Sequence, residues 1–427
     1  MNHLKSPLNV VHLSTFDISG GAARAAYRVH QGLKKFGVNS QMLVRVKSSQ
    51  DPKVLAPKTG FGKVFSRFRA NLNSFPLKFY SGLNYNSFSP QWCPDGIDER
   101  VATIAPDIVC LHWVGNGYLQ LETLAKLKKP LIWTLMDMWP FTGGCYYSGD
   151  CDRYRVNCGA CPFLNSQKES DLSRWIWNRK AKVWKELNLT VVAPSQWLAQ
   201  CARSSSLLRD CRVEVIPFAL DTQTYKPIDR HTARQILNLP QDKDLILFGA
   251  IQATKDPRKG FSLLQEALQQ LSHSQWQDRS ELVIFGSSQP EQPIDLGLKT
   301  NYLGHLHDDI SLSIAYAAAD VAIVPSKEEA FGQTASESLA CGTPVVTFNA
   351  TGLKDIVDHQ QNGYLVKPFD SEDLARGIAW VLDDRDRHRQ LKIAARAKAE
   401  REFSLELQAS RYVDLFTEIL ERNTTEN

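Results

Sequence analysis

Glu329 and Glu337 stand eight positions apart in PSKEEAFGQTASESLACGTPVV, residues 325–346. Carboxylates accept hydrogen bonds from vicinal hydroxyls, and at about 1.5 Å per helical residue the two lie roughly 12 Å apart or less. That span suits a sugar at one end of a nucleotide diphosphate and a ribose at the other. Between them Phe331, Gly332, Gln333 and Thr334 open a helical run that Gly342 ends. The first amides of such a helix carry unpaired N–H groups and the positive end of the dipole, which suit a diphosphate. Upstream, Arg258 and Lys259 in QATKDPRKG supply two cations. Cations there can stabilise charge developing on a departing diphosphate. Taken singly, these features also read as solvated acids and a solvated basic turn.

A second cluster is Cys145, Cys151, Cys158 and Cys161, spaced C-x5-C-x6-C-x2-C in a Gly-rich polar loop. Four thiolates can close a tetrahedral Zn2+ site, structural rather than catalytic. Four reduced thiols, a redox-labile pair or an iron–sulfur cluster are the alternatives. Asp150-Cys151-Asp152 reads as D-x-D, but its place inside the cysteine cluster argues against a metal–diphosphate role.

The elements that must position these residues alternate strand and helix. NVVHLSTF, residues 9–16, reads as a buried strand, followed by Gly20-Gly21 and a helix closed by Gly37. Further strands are expected at 41–46, 105–114, 130–137 and 189–195, with helices over 117–129 and 171–187. His112, near the end of its strand, reads as a paired core histidine or as a side chain reaching the carboxyl edge of the sheet. Ligands bind at that edge, which marks Trp133 to Asp137 as well. The pattern restarts at Asp244, with the acidic loop following a strand from Asp320. Thr351-Gly352-Leu353 and Asn362-Gly363 read as turns, and Asp370 or Ser371 as a helix cap. The arrangement is α/β with parallel sheets in two Rossmann-like domains.

The motif PS-x-x-E-x-FG-x-x-x-x-E-x-x-A-CG-x-PVV resembles the donor-site signature of retaining glycosyltransferases of family 4. The resemblance implies a GT-B fold with a cleft between the domains. Domain limits are then 1–216, completed by a C-terminal helix over 404–427, and 217–403. It implies sugar transfer from a nucleotide-diphosphate donor to a saccharide or lipid-linked saccharide, with retention. Glu329 would hold sugar hydroxyls and Glu337 the ribose. Lys259, Arg258 and the amides from Phe331 to Thr334 would hold the diphosphate. Gly20 and Gly21 would face the acceptor and the diphosphate. No cofactor is required for this chemistry. The family's usual histidine at the end of the PLIWTLMD segment falls at Met136 here, and Asp137 beside it becomes a catalytic candidate. A second departure is Ala250 after Gly249, where the family often has arginine, so Arg258 is read as a substitute. Phe218 and Ala219 replace the usual polar–glycine pair at the interdomain connection. A sugar-nucleotide epimerase and a non-catalytic nucleotide-sugar-binding protein are the alternatives.

The 427 residues exceed one ordinary core, and a net charge of +4 is too mild to imply nucleic acid. No apolar run approaches the length of a bilayer-spanning helix, and MNHLKSPLNVVHLSTFD lacks the shape of a signal peptide. Nine cysteines without an export signal argue against a disulfide framework. The expectation is a cytoplasmic protein. Within residues 60–90, Phe61, Val64, Phe65, Phe68 and Leu72 recur at helical spacing among Lys63, Arg67, Arg69 and Lys78. Such a segment packs on the domain with a solvated basic face, or lies on an anionic membrane surface at its inner face.

Overall fold

Strands buried on both faces read as continuous apolar runs, and such runs pair in parallel once helices cover the sheet. The computed structural model describes residues 8–57, 68–80, 88–249, 256–291 and 294–425. The chain divides into two units, Met1–Pro217 with Leu405–Asn427, and Phe218–Ser404. Ala250 and the segment with Phe61, Lys63, Val64, Phe65 and Arg67 lie outside the described residues.

In the first unit the described strands are β1 (Asn9–Phe16), β2 (Asn39–Val46), β3 (Val54–Leu55), β4 (Ile108–Leu111), β5 (Leu131–Thr134), β6 (Leu189–Ala193) and β7 (Arg212–Val215). They form one parallel sheet in the order β3-β2-β1-β4-β5-β6-β7. Strand order reverses between β1 and β4, where Leu13 of β1 pairs with Leu43 on one side and Leu111 on the other. The helix Gly21–Lys35 lies between β1 and β2 in sequence. The helix Leu405–Thr425 joins the same unit, with Tyr412 and Phe416 fully buried beside Val10, Leu33 and Ile132. The Tyr412 hydroxyl meets Thr134 Oγ1 at 2.7 Å, and Gln408 donates to the Pro217 carbonyl at 2.7 Å.

The second unit repeats the plan. Its described strands are β8 (Asp244–Gly249), β9 (Ser280–Phe285), β10 (Thr300–Gly304), β11 (Val321–Val324), β12 (Val345–Phe348) and β13 (Gly363–Val366). The order is β10-β9-β8-β11-β12-β13, all parallel, and it reverses between β8 and β11. Ile246, Leu282, Ile323, Val346 and Ile378 centre its core. Asp370 caps the helix Ser371–Asp383 through the Asp373 amide.

Two expectations are corrected. The helix expected over 117–129 is confined to Thr123–Lys126. Asn116 and Gly117 adopt positive φ, and Asp95 accepts the Gln120 amide and the Thr123 hydroxyl, which holds the approach to that helix in turns. The strand expected over 105–114 shrinks to Ile108–Leu111, because Ala105 is the left-handed cap of the preceding helix. The turn marked by Asn362-Gly363 is present: Asn362 ends it, its amide bonded to the Asp358 carbonyl at 3.3 Å, and Gly363 directly after it opens β13.

Candidate functional site

In open parallel sheets ligands bind beyond the carboxyl ends of the strands, where strand order reverses. In the second unit that point is β8/β11. The loop after β8 ends in the turn Pro257–Lys259, and the loop after β11 carries the two acids. They are locked together. The Lys327 amide donates to the Arg258 carbonyl at 2.7 Å. Gly260, at φ +70°, lies so close that a Cβ would sit 1.8 Å from the Pro325 oxygen. This approach sets Lys259 Nζ in a hydrogen-bonded ion pair with Glu329 Oε1, both partly exposed. The two residues, 70 positions apart, are thus brought into contact.

Glu329 is held from behind as well. Its amide donates to Thr351 Oγ1 at 3.3 Å, and its carbonyl accepts the Gly352 amide at 3.0 Å. Gly332, at φ +114°, starts the helix Gln333–Ala340 without a capping side chain. A side chain there would strike Leu353 at 2.5 Å. The Phe331 ring is buried against Phe218 and Phe403, each at a 5.5 Å centroid distance. Only its backbone is therefore available to a ligand. The Phe218 departure has a packing cause in that contact.

Other expected partners are engaged elsewhere. Arg258 pairs with Asp256 Oδ2 at 2.7 Å. Glu337 is buried and accepts the Tyr316 hydroxyl at 3.1 Å. Tyr316 in turn is held well above its ordinary pKa, by burial and then by the Glu337 charge.

In the first unit Gly20, at φ +94°, is the N-cap of the helix that Gly21 opens. Asp17 is fully buried there and accepts the amides of Ile18, Ser48 and Ser49, fastening the end of β1 to the end of β2. Asp137 is buried and accepts the Trp139 amide at 2.8 Å. It lines a cavity of about 10 Å³ with His112, Met136 and Tyr146.

Cys145, Cys151, Cys158 and Cys161 line a single cavity of about 20 Å³ with Phe88 and Tyr154. Burial pushes the Cys158 thiol up to about 12 and the Cys161 thiol up to about 11. Asp171 receives the Cys161 amide at 2.8 Å, and Arg174 donates to the Cys158 carbonyl at 2.7 Å. As they stand, no three His, Cys, Asp or Glu side chains among the described residues are grouped as metal ligands.

Lys180 is a residue that sequence reasoning missed. Its helical spacing gave no sign that the ammonium is fully buried. Nζ donates to the carbonyls of Trp139 and Thr142, the latter at 3.0 Å, and sits 3.5 Å from the Trp139 ring centroid. Burial draws its pKa from 10.5 down to about 7.

The family model for glycosyl transferases group 1 matches residues 229–398, and that for glycosyltransferase family 4 matches residues 19–224. The D-inositol 3-phosphate glycosyltransferase of Nocardia farcinica is 31% identical over 89% of this chain and 81% of its own. Its counterpart from Thermobispora bispora is 32% identical over 49% of this chain and 51% of its own. The chain thus spans about half the length of the first curated relatives it matches. Among solved structures, sucrose-phosphate synthase from Thermosynechococcus elongatus superposes with a TM-score of 0.70 at 20% identity, over 97% of this chain and all of that one. Anabaena Alr3699/HepE, solved in complex with UDP and glucose, gives 0.64 at 17% identity over 96% and 99%. These likenesses establish a GT-B type fold.

The buried ammonium yields a stability test. Lys180→Met leaves two carbonyls without their donor, which costs about 1–3 kcal/mol. From about 7 to 10.5 the unfolded chain holds this proton more tightly than the folded one, so the lysine's contribution rises with pH. The wild-type denaturation midpoint should therefore exceed the variant's by a margin that widens from pH 7 to 10. A more stable variant at pH 7 would show that burying the lysine costs more than its bonds return.

Proposed function

The chain belongs to family 4 of the glycosyltransferases, and from that premise we propose that it transfers a sugar from a nucleotide-diphosphate donor to a saccharide acceptor with retention of configuration. The observation that carries this reading is the Lys259–Glu329 pair at the β8/β11 reversal, inside the matched stretch 229–398. An ammonium there can follow the diphosphate as the bond to sugar C1 breaks, where added charge is worth most. When donor binds, Lys259 moves from Glu329 to phosphate oxygens, and Glu329 is released to sugar hydroxyls. Amides from Phe331 to Thr334 add to the diphosphate contacts, and Arg258 joins by leaving Asp256. Glu337 meets the ribose with its carboxylate steadied by Tyr316. On the first unit, Gly20 and Gly21 let backbone approach the acceptor, and Asp137 lies at its reacting end.

We extend the reading to a lipid-linked acceptor at the cytoplasmic face of a membrane. No helix among the described residues is long and apolar enough to cross one. Phe68, Phe75 and Phe79 are exposed beside Lys78, which supports a surface attachment. We also carry the four cysteines forward as a structural zinc site. Their convergence on one cavity supports it, although the thiols must turn inward to meet at one ion.

Three measurements test these proposals. Glu329→Gln should lower turnover ten- to hundredfold with nucleoside diphosphate binding nearly kept, while Lys259→Ala lowers both; a lost charged partner is worth about 1.5–3 kcal/mol. Assays use a panel of nucleotide sugars beginning with UDP-glucose. Full transfer by Glu329→Gln would overturn the mechanism, an altered sugar still on the nucleotide would mark an epimerase, and binding without turnover a non-catalytic protein. Elemental analysis of protein purified under reductant should find about one zinc per chain. Protein free of zinc and iron would remove the metal. Sedimentation with anionic vesicles should fall as salt rises and should weaken in Phe75→Ser/Phe79→Ser. Equal sedimentation with neutral vesicles would reject an electrostatic surface.

A further inference from the structure

The first unit holds a buried row of polar side chains that the transfer chemistry above does not use. Asp51 Oδ2 faces His30 Nε2 at 3.4 Å, an electrostatic approach in which Nε2 makes no well-formed hydrogen bond. His30 Nδ1 meets Ser40 Oγ at 2.7 Å, and Ser40 Oγ meets His12 Nε2 at 3.0 Å. His12 Nδ1 meets His112 Nε2 at 2.8 Å. His12, His30, Ser40 and His112 are all buried, and the ring nitrogens at the two ends of the histidine row, His30 Nε2 and His112 Nδ1, have no hydrogen-bond partner. His112 lines the 10 Å³ cavity with Asp137 and Tyr146, and the Tyr146 hydroxyl is buried without a well-formed bond. This is the carboxyl end of β4, beside the reversal of strand order in the first sheet.

Donor counting fixes the direction of the row. Asp51 also accepts from Lys34 Nζ at 2.7 Å and from the Lys53 amide at 2.8 Å. Burial opposes its charge, but those bonds outweigh it and hold the carboxyl down at about 2. A bare lone pair facing that carboxylate would be repelled, so His30 carries its proton on Nε2. Burial keeps His30 neutral, with its pKa near 4, so Nδ1 is bare and takes the Ser40 hydrogen. Ser40 oxygen must then accept from His12 Nε2–H. Burial holds His12 neutral too, so its Nδ1 accepts from His112 Nε2–H. His112, lowered to about 3 by burial, is left with a bare Nδ1 lone pair directed at the cavity end of the row.

We propose that His112 Nδ1, oriented from Asp51 through His30, Ser40 and His12, is a built acceptor for one O–H donor seated against Tyr146 and Asp137. The space admits a single oxygen, at the lower bound for one water. A water and a sugar hydroxyl share that chemistry. A hydroxyl donates to His112 and can accept from Tyr146, whose pKa burial keeps high so that it remains a donor. Assigning the oxygen to a sugar rests on the transferase reading, whereas the direction of the row does not.

The test is the tautomer of each ring, read by long-range 1H–15N correlation in 15N-labelled full-length protein at neutral pH. His30, His12 and His112 should each carry the proton on Nε2, with His112 Nδ1 bare and shifted by an accepted hydrogen bond. Ser40→Ala interrupts the row while sparing Asp51, and Asp51→Asn removes its anchor. Both should lose the single tautomer at His112, with circular dichroism confirming the fold. A proton on His112 Nδ1, a bare nitrogen accepting nothing with or without sugar, or unchanged tautomers in both variants would overturn the proposal. Glucose is the probe for the occupant. A shift of His112 Nδ1 on adding it assigns the oxygen to a sugar hydroxyl. An unmoved, already hydrogen-bonded nitrogen assigns it to water and overturns the sugar. Neither outcome depends on transfer activity, so failure of the transferase reading would be seen separately.

Discussion

The Pro325 carbonyl lies where a Cβ of Gly260 would be, and the second unit's chemistry depends on that approach. A side chain at 260 would push the β8 loop away from the end of β11, and the Lys327–Arg258 backbone bond with it. The Lys259–Glu329 pair could not then form across 70 residues of chain. Lysine and glutamate are cheap to encode anywhere. Holding them together at a reversal of strand order takes a glycine at positive φ on one loop, Gly332 on the other, and Gly352 from the segment after β12 packed against Ala330.

Both sheets use the same device. In each, the strand order runs outward in two directions from a central pair, β1/β4 or β8/β11, and the segments that follow the pair are tied to each other. In the first unit the end of β1 is tied to the loop after β4 by the Thr15 amide, which donates to the Trp113 carbonyl, and by the Thr15 hydroxyl, which donates to the Gly115 carbonyl. The residues around them are polar and buried, and most are satisfied: Asp17 by three amides, Asp137 by the Trp139 amide, Lys180 by two carbonyls. His112 Nδ1 and the Tyr146 hydroxyl, which line one cavity, are both unmatched, and an unmet buried group costs about 1–3 kcal/mol.

Aromatic packing supplies the remaining rigidity near the donor motif. Phe331 is wedged between Phe218 and Phe403, residues from the two ends of the second unit. The Leu220 amide bonds the Phe403 carbonyl beside them at 2.9 Å. A motif phenylalanine thereby fastens the acidic loop to the segments where the chain enters and leaves that unit.

The sequence by itself determined the alternation of strand and helix and the glycines that bound the donor motif. Each follows from local rules: apolar runs for strands buried on both faces, and φ above zero for Gly20, Gly260 and Gly332. It pointed to Glu329 and Lys259 as separate features, one acid and one basic turn. Only the tertiary structure decided that they touch, that Glu337 bonds Tyr316, that Arg258 turns to Asp256, and that the 117–129 pattern is mostly turns. The burial of Lys180 and the row from Asp51 to His112 were equally illegible, because their members come from segments up to 100 positions apart. The reason is physical. Helix and strand preferences act over a few residues, whereas an ion pair, a buried ammonium or a tautomer is set by neighbours that the order of strands in a sheet brings together.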